Sequence, residues 1–125
     1  MRPHLIDPVF LINHPAVLSP LAKRREENLD ETERFQLIIA GMEVVNAFSE
    51  QNDPLLQREI FEEQERLHAA GNLEAQRVDE DFLTALEYGL PPTAGLGMGI
   101  DRLIEILANA SNLKEVIAFP TLRPK

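Results

Sequence analysis

The chain has 125 residues, 44% of them hydrophobic, with 21 acidic against 12 basic side chains and a formal net charge of -9. That length supports one domain around a single core, and the charge has the wrong sign for a protein that grips a polyanion unaided. The absence of cysteine excludes disulfides and thiolate metal sites, no apolar run approaches the roughly 20 residues of a membrane span, and the N-terminus lacks a signal-peptide core, so a soluble, cytoplasmic protein is expected.

Residues 5–12 are apolar apart from Asp7-Pro8 and predict a short or bent strand. Pro15 and Pro20 then impose extended, irregular chain. Residues 23–33 are charge-dense with few apolar side chains, the pattern of a solvated or mobile loop. Two β-rich runs, 35–40 and 43–48, flank Ala40-Gly41-Met42, where Gly41 can take the positive φ of a tight hairpin. Asp53-Pro54 supplies an N-cap and a proline at the first helical position, and the helix runs to about residue 70, where Gly71-Asn72 stops it. Leu56, Ile60 and Leu67 form its apolar face, while Glu59, Glu62, Glu63, Glu65 and Arg66 make up a solvated one. Asp79 caps a second helix through Tyr88, ended by Gly89 and Pro91-Pro92. A third helix covers about 100–109, and residues 116–119 are a last short strand or turn. Hairpins alternating with helices predict an α+β fold, an antiparallel sheet with flanking helices. His4, His14 and His68 lack metal-ligand spacing and read as structural or exposed.

The most informative stretch is Gly95-Leu96-Gly97-Met98-Gly99-Ile100-Asp101-Arg102. Glycine at every second position bares one face of a strand, so a flat ligand can lie against the backbone without meeting a Cβ. The strand runs into a helix whose first-turn amides and dipole favour an anion, and Arg102 adds a planar fork of donors. These residues point to a nucleotide-type anion site.

The run from Pro91 to Leu103, PPTAGLGMGIDRL, resembles motif 3 of the class II aminoacyl-tRNA synthetases, with flanks similar to the lysyl branch. In order along the chain, Phe10-Leu11-Ile12-Asn13-His14-Pro15, Ser19-Pro20-Leu21-Ala22-Lys23, EVVNAFSEQNDP from Glu43 to Pro54, Ala85-Leu86-Glu87-Tyr88-Gly89 and Phe119-Pro120-Thr121-Leu122-Arg123-Pro124 resemble the same family. The resemblance implies a two-step ligation. Lysine's carboxylate attacks the α-phosphate of ATP to give an adenylate, and the lysyl group then passes to the 3' end of tRNA(Lys). Both steps are driven by positioning and by charge neutralisation rather than by a covalent nucleophile.

By resemblance, Arg102 is the phosphate-binding arginine of motif 3, and Gly97 and Gly99 form the floor beneath the adenine. Asp101, at the first helical turn, is structural. Glu50 stands where the aspartyl and asparaginyl enzymes characteristically carry arginine, and the reversed sign suits an ε-ammonium. A neutral substrate would leave that carboxylate without a counter-ion, at a cost on the order of 1–3 kcal/mol. Asn46 and Phe48 supply a polar contact and an apolar wall for lysine and ATP. Glu43 implies a magnesium ligand, but the family's second acidic ligand is replaced by Gln36, an uncharged amide. On a regular strand Glu43 points away from Asn46, Phe48 and Glu50, so a shared pocket requires a bulge between Glu43 and Asn46.

The resemblance further implies that residues 1–125 correspond to the C-terminal portion of the catalytic domain. Motif 1 with its dimer interface, motif 2 with its phosphate-binding arginine, and the anticodon-binding domain have no counterpart in them. On that basis the chain is the C-terminal part of a lysine-tRNA ligase, dependent on an N-terminal part or homodimer partner. The alternative is a repurposed, non-catalytic domain that binds an adenylate, an amino acid or a partner protein.

Overall fold

A computed structural model describes residues 4–73 and 75–121. Four strands, β1 (Val9–Ile12), β2 (Arg34–Ile39), β3 (Met42–Ser49) and β4 (Ala94–Met98), form one sheet in the order β1-β2-β3-β4. Three helices accompany them, α1 (Pro54–Ala69), α2 (Glu80–Glu87) and α3 (Ile100–Leu107). The expected α+β class with an antiparallel sheet is what the chain adopts. No helix among the described residues is long and apolar enough to cross a membrane.

The hairpin between β2 and β3 turns on Ala40 and Gly41, both at positive φ (50° and 76°), the combination a two-residue loop needs to follow the twist of its strands. Counted out from that turn, Glu33 would face residue 48. The Ser49 amide instead donates to the Glu33 carbonyl at 3.0 Å, so β3 holds one residue more than β2. The Gln36 side chain still reaches Glu43 diagonally, in the register set at the turn. The extra residue therefore lies beyond Glu43, and in-out alternation fails at Val44 and Val45, which are both buried. This is the bulge that Glu43 and Asn46 need in order to share a face.

Contacts group the residues into two compact units. The first comprises residues 4–11, 36–46 and 96–121. Its core includes Ile38, Val44 and Val45. Helix α3 departs from its apolar pattern: Leu107 is 77% exposed and Ile100 and Ile104 are also open, while Glu105 is only 8% exposed with one carboxylate oxygen unpartnered. Leu96 and Met98 of β4 are exposed as well. After α3, Asn112 caps a 3-10 turn, Leu113–Glu115, by accepting from the Lys114 amide. Residues 116–119 form a turn rather than a strand. The last part of the closing motif, Leu122 to Pro124, lies outside the described residues.

The second unit comprises residues 12–35, 47–73 and 75–95. Helix α1 begins where expected, with the Asp53 carboxylate accepting from the Leu55 and Leu56 amides, and it stops at Gly71, φ +105°. Its inward line is not the predicted one. Gln57 and Phe61 are buried, and the Gln57 amide donates to the Pro20 carbonyl at 3.0 Å, while Leu56, Ile60 and Leu67 line an open groove of about 700 Å³ together with Pro15 and Val17. The apolar side chains thus flank a surface groove, and a hydrogen-bonded glutamine occupies the core. Phe61 packs edge-on against Phe82 of α2, ring centroids 6.1 Å apart, and Leu83 and Leu86 complete the cluster. Arg58 and Glu80 join α1 to α2 through two 2.9 Å bonds, which raise the arginine's pKa and lower the glutamate's.

Residues 23–33 are not a mobile loop. The Lys23 amide donates to Ser49, Arg25 to Glu31 and Glu33 to Lys23, and Thr32 is buried with both its amide and hydroxyl on the His14 carbonyl. Backbone ladders hold the segment, so its charge density governs how its side chains meet water and not whether its chain is ordered.

Candidate active site

In the first unit the sequence-selected residues gather on β3, β4 and α3. The Gly99 amide donates to the Val44 carbonyl at 2.9 Å, fixing the start of α3 beside β3. Gly99 is the helix N-cap and offers no side-chain acceptor, so the first-turn amides of α3 carry no side-chain cap. Arg102 folds back over Gly99: a Cβ at that glycine would stand 3.3 Å from the Arg102 Cδ. Its Nη1 donates to the Glu43 backbone carbonyl at 2.6 Å. No carboxylate among the described residues forms an ion pair with it. An exposed guanidinium, tethered at one nitrogen and lacking a counter-ion, is an anion receptor with its orientation already set. Gly97 is exposed, and a Cβ there would meet only the Asn46 carbonyl oxygen at 3.9 Å. The strand is bare at that point, as a flat ligand requires.

Gln36 and Glu43 are joined directly, the glutamine amide donating to the Glu43 carboxylate at 3.0 Å. Among the described residues no three histidine, aspartate or glutamate side chains gather in a way that could hold a metal ion. One carboxylate, with an amide already on it, does not amount to a divalent-metal cradle. The pair as it stands ties β2 to β3.

In the second unit, Glu50 follows directly on β3, its amide donating to the Thr93 carbonyl at 2.9 Å. Its carboxylate has no hydrogen bond or ion pair among the described residues, and burial raises its pKa from the ordinary 4.5. It lines a hollow of about 250 Å³ with Lys23, Glu33, Asn52, Thr93 and Ala94. Two carboxylates and one ammonium leave that hollow net negative, which favours a cationic guest. Phe48 lines a different hollow, of about 140 Å³, with Ser19, Pro20 and Arg34. The structure therefore brings Glu50 together with Lys23, Glu33 and Thr93, and sets Phe48 apart from it. Gly95 was missed as a site residue. Its signal was present in the glycine repeat, but nothing in the sequence distinguishes the three glycines by neighbour.

A family model described as tRNA synthetases class II (D, K and N) matches residues 1–123. The chain belongs to this family. Among curated proteins, a lysine–tRNA ligase of Moorella thermoacetica is 55% identical over 125 residues, covering 100% of this chain and 26% of its own length. One from Chloroflexus aurantiacus is 56% identical over the same span, also 26% of its length. One from Trichormus variabilis is 55% identical over 122 residues, 98% of this chain and 22% of its length. The chain thus spans about a quarter of the synthetases it matches, and Glu43, Asn46, Glu50, Gly97 and Arg102 all fall within the matched stretch.

Proposed function

We propose that the chain supplies part of the ATP and lysine sites of a lysine–tRNA ligase. The observation that carries this reading is the pairing of chemistries within one synthetase stretch. Among the described residues, Arg102 is an anchored cation without an ion-paired carboxylate, and Glu50 is a partly buried carboxylate without an ion-paired cation. In the reaction the lysine carboxylate oxygen bonds the α-phosphorus of ATP and pyrophosphate leaves, giving lysyl-adenylate. The lysyl group then passes to the tRNA(Lys) 3' end with release of AMP. Arg102 holds phosphate oxygens, Gly97 and Gly99 receive the adenine face, Asn46 adds a polar contact, and Glu50 binds the lysine ε-ammonium. Phe48, which lines a separate hollow, takes no part in the Glu50 contact. With a formal charge of -9, the chain leaves the grip on tRNA to other parts of the ligase, or to a second copy, and a cytoplasmic location goes with that role. For the magnesium that such ligases use, Glu43 offers a carboxylate and Gln36 only an uncharged amide.

The test is exchange of pyrophosphate into ATP, run on this chain alone and on the chain complemented with the remaining segments of the Moorella enzyme. Lysine supports exchange in the complemented sample and aspartate does not. Exchange with aspartate, or none after complementation with folded segments, overturns the reading. The Gln36–Glu43 bond favours a second reading, a synthetase-like binding domain without catalysis, because it occupies a carboxylate that metal-assisted chemistry would use. That reading gains if complemented protein binds ATP and lysine yet exchanges nothing.

A further inference from the structure

The three alternate glycines of β4 and its flank meet different surroundings, and Gly95 meets the tightest. A Cβ built on it would stand 2.5 Å from the Glu50 Oε1 and 3.7 Å from its Cδ. Gly95 is not among the residues at positive φ, so an alanine could adopt its backbone, and the glycine is required for space rather than for conformation. The backbone beside it is fixed by the Glu50 amide donating to the Thr93 carbonyl at 2.9 Å. What an added methyl would displace is the far end of a flexible side chain. The strand stays and the carboxylate moves.

We propose that Gly95 is a positioning residue for recognition of a primary ammonium: the volume left by its missing side chain seats the Glu50 carboxylate and fixes where the cation is received. This rests on the reading of Glu50 as the lysine-binding acid. Among the described residues no hydrogen bond holds the Glu50 carboxylate in place, so within them the steric seat is its main restraint. A side chain of ordinary size at residue 95 would swing the acid out of the seat and leave the hollow without a directed acceptor. Selectivity would then fall although every polar group of the site remained present.

The experiment uses the full chain with Gly95→Ala, alone and combined with Glu50→Asp, and L-lysine as the probe. Carbon-detected NMR of the Glu50 carboxyl reports its surroundings directly, and thermal melting reports the fold. The expected result is a displaced Glu50 carboxyl resonance, lysine binding weakened about tenfold, and a melting temperature close to that of the parent. In the Glu50→Asp background the shorter acid no longer reaches the added methyl, so Gly95→Ala has no further effect on lysine binding. An unmoved Glu50 resonance, or a Gly95→Ala effect that persists undiminished beside Asp, overturns the proposal. If the parent chain complemented with the remaining segments of the Moorella enzyme binds no lysine while the resonance still moves on Gly95→Ala, the seat is upheld and the lysine reading is the part that fails.

Discussion

Gly99, in the first unit, and Gly95, in the second, do the same thing for side chains of opposite charge. At Gly99 the missing Cβ lets the Arg102 stem fold over the backbone, with the closest approach 3.3 Å to a mid-chain carbon. At Gly95 it makes room for a carboxylate tip at 2.5 Å. The cation is further tied down by the Glu43 carbonyl, whereas the anion has no hydrogen-bond partner among the described residues and an elevated pKa. A nucleotide phosphate would therefore meet a receptor already aimed, and a cationic side chain would complete one that is electrostatically unfinished. Within the glycine repeat, Gly95 and Gly99 each lie close to a neighbouring side chain, whereas a Cβ at Gly97 would meet only the Asn46 carbonyl oxygen at 3.9 Å.

The units also differ in how they are packed, and the largest expected effect tests that. Phe61 is 3% exposed and packs edge-on against Phe82, so Phe61→Ala should cost about 3–5 kcal/mol in a denaturant titration. Leu107→Ala, on the open face of α3, should stay within about 0.5 kcal/mol. Comparable losses at the two positions would mean that α3 is covered in solution, which would undo the contrast. A smaller effect separates the two charges. Arg102→Ala should weaken ATP binding about tenfold while leaving lysine binding and melting nearly unchanged, because the guanidinium is exposed and the Glu43 carbonyl it leaves can turn to water. Equal loss of both ligands in calorimetric titrations would show that the arginine acts on the fold and not on phosphate.

Local physics made much of this readable in advance. Asp53 and Asp79 cap their helices as the sequence indicates, Gly71 and Gly89 end them at positive φ, and the Ala40-Gly41 turn is where the β-rich runs placed it. The errors share a cause, which is tertiary partners that no window of sequence contains. The segment 23–33 looked mobile because its charges were visible and its backbone partners Ser49 and His14 were not. The α1 face was misread because a buried glutamine with a carbonyl partner is invisible to a hydrophobic pattern. In the site, Arg102 could be picked out by type and spacing, and Glu50 through the resemblance to the lysyl branch. Gly95 could not, since its role is defined by an atom 45 positions away.

The last and smallest effect concerns the direction in which pH acts on Glu50. Burial raises its pKa above 4.5, so the folded chain holds that proton more tightly than the unfolded one. Its contribution to stability is complete below the unfolded value and is lost as pH rises through the folded one. Wild type should therefore lose ground to Glu50→Gln between about pH 4 and pH 7, a modest change because the group is only partly buried and Lys23 lines the same hollow. Saturating lysine should reverse the sign. The bound ammonium favours the ionised acid, so the same pH rise then stabilises wild type over the glutamine variant. Melting curves at both pH values, with and without lysine, read out all four combinations. A pH response that lysine leaves unaltered would mean that the carboxylate is buried for packing and does not receive the cation.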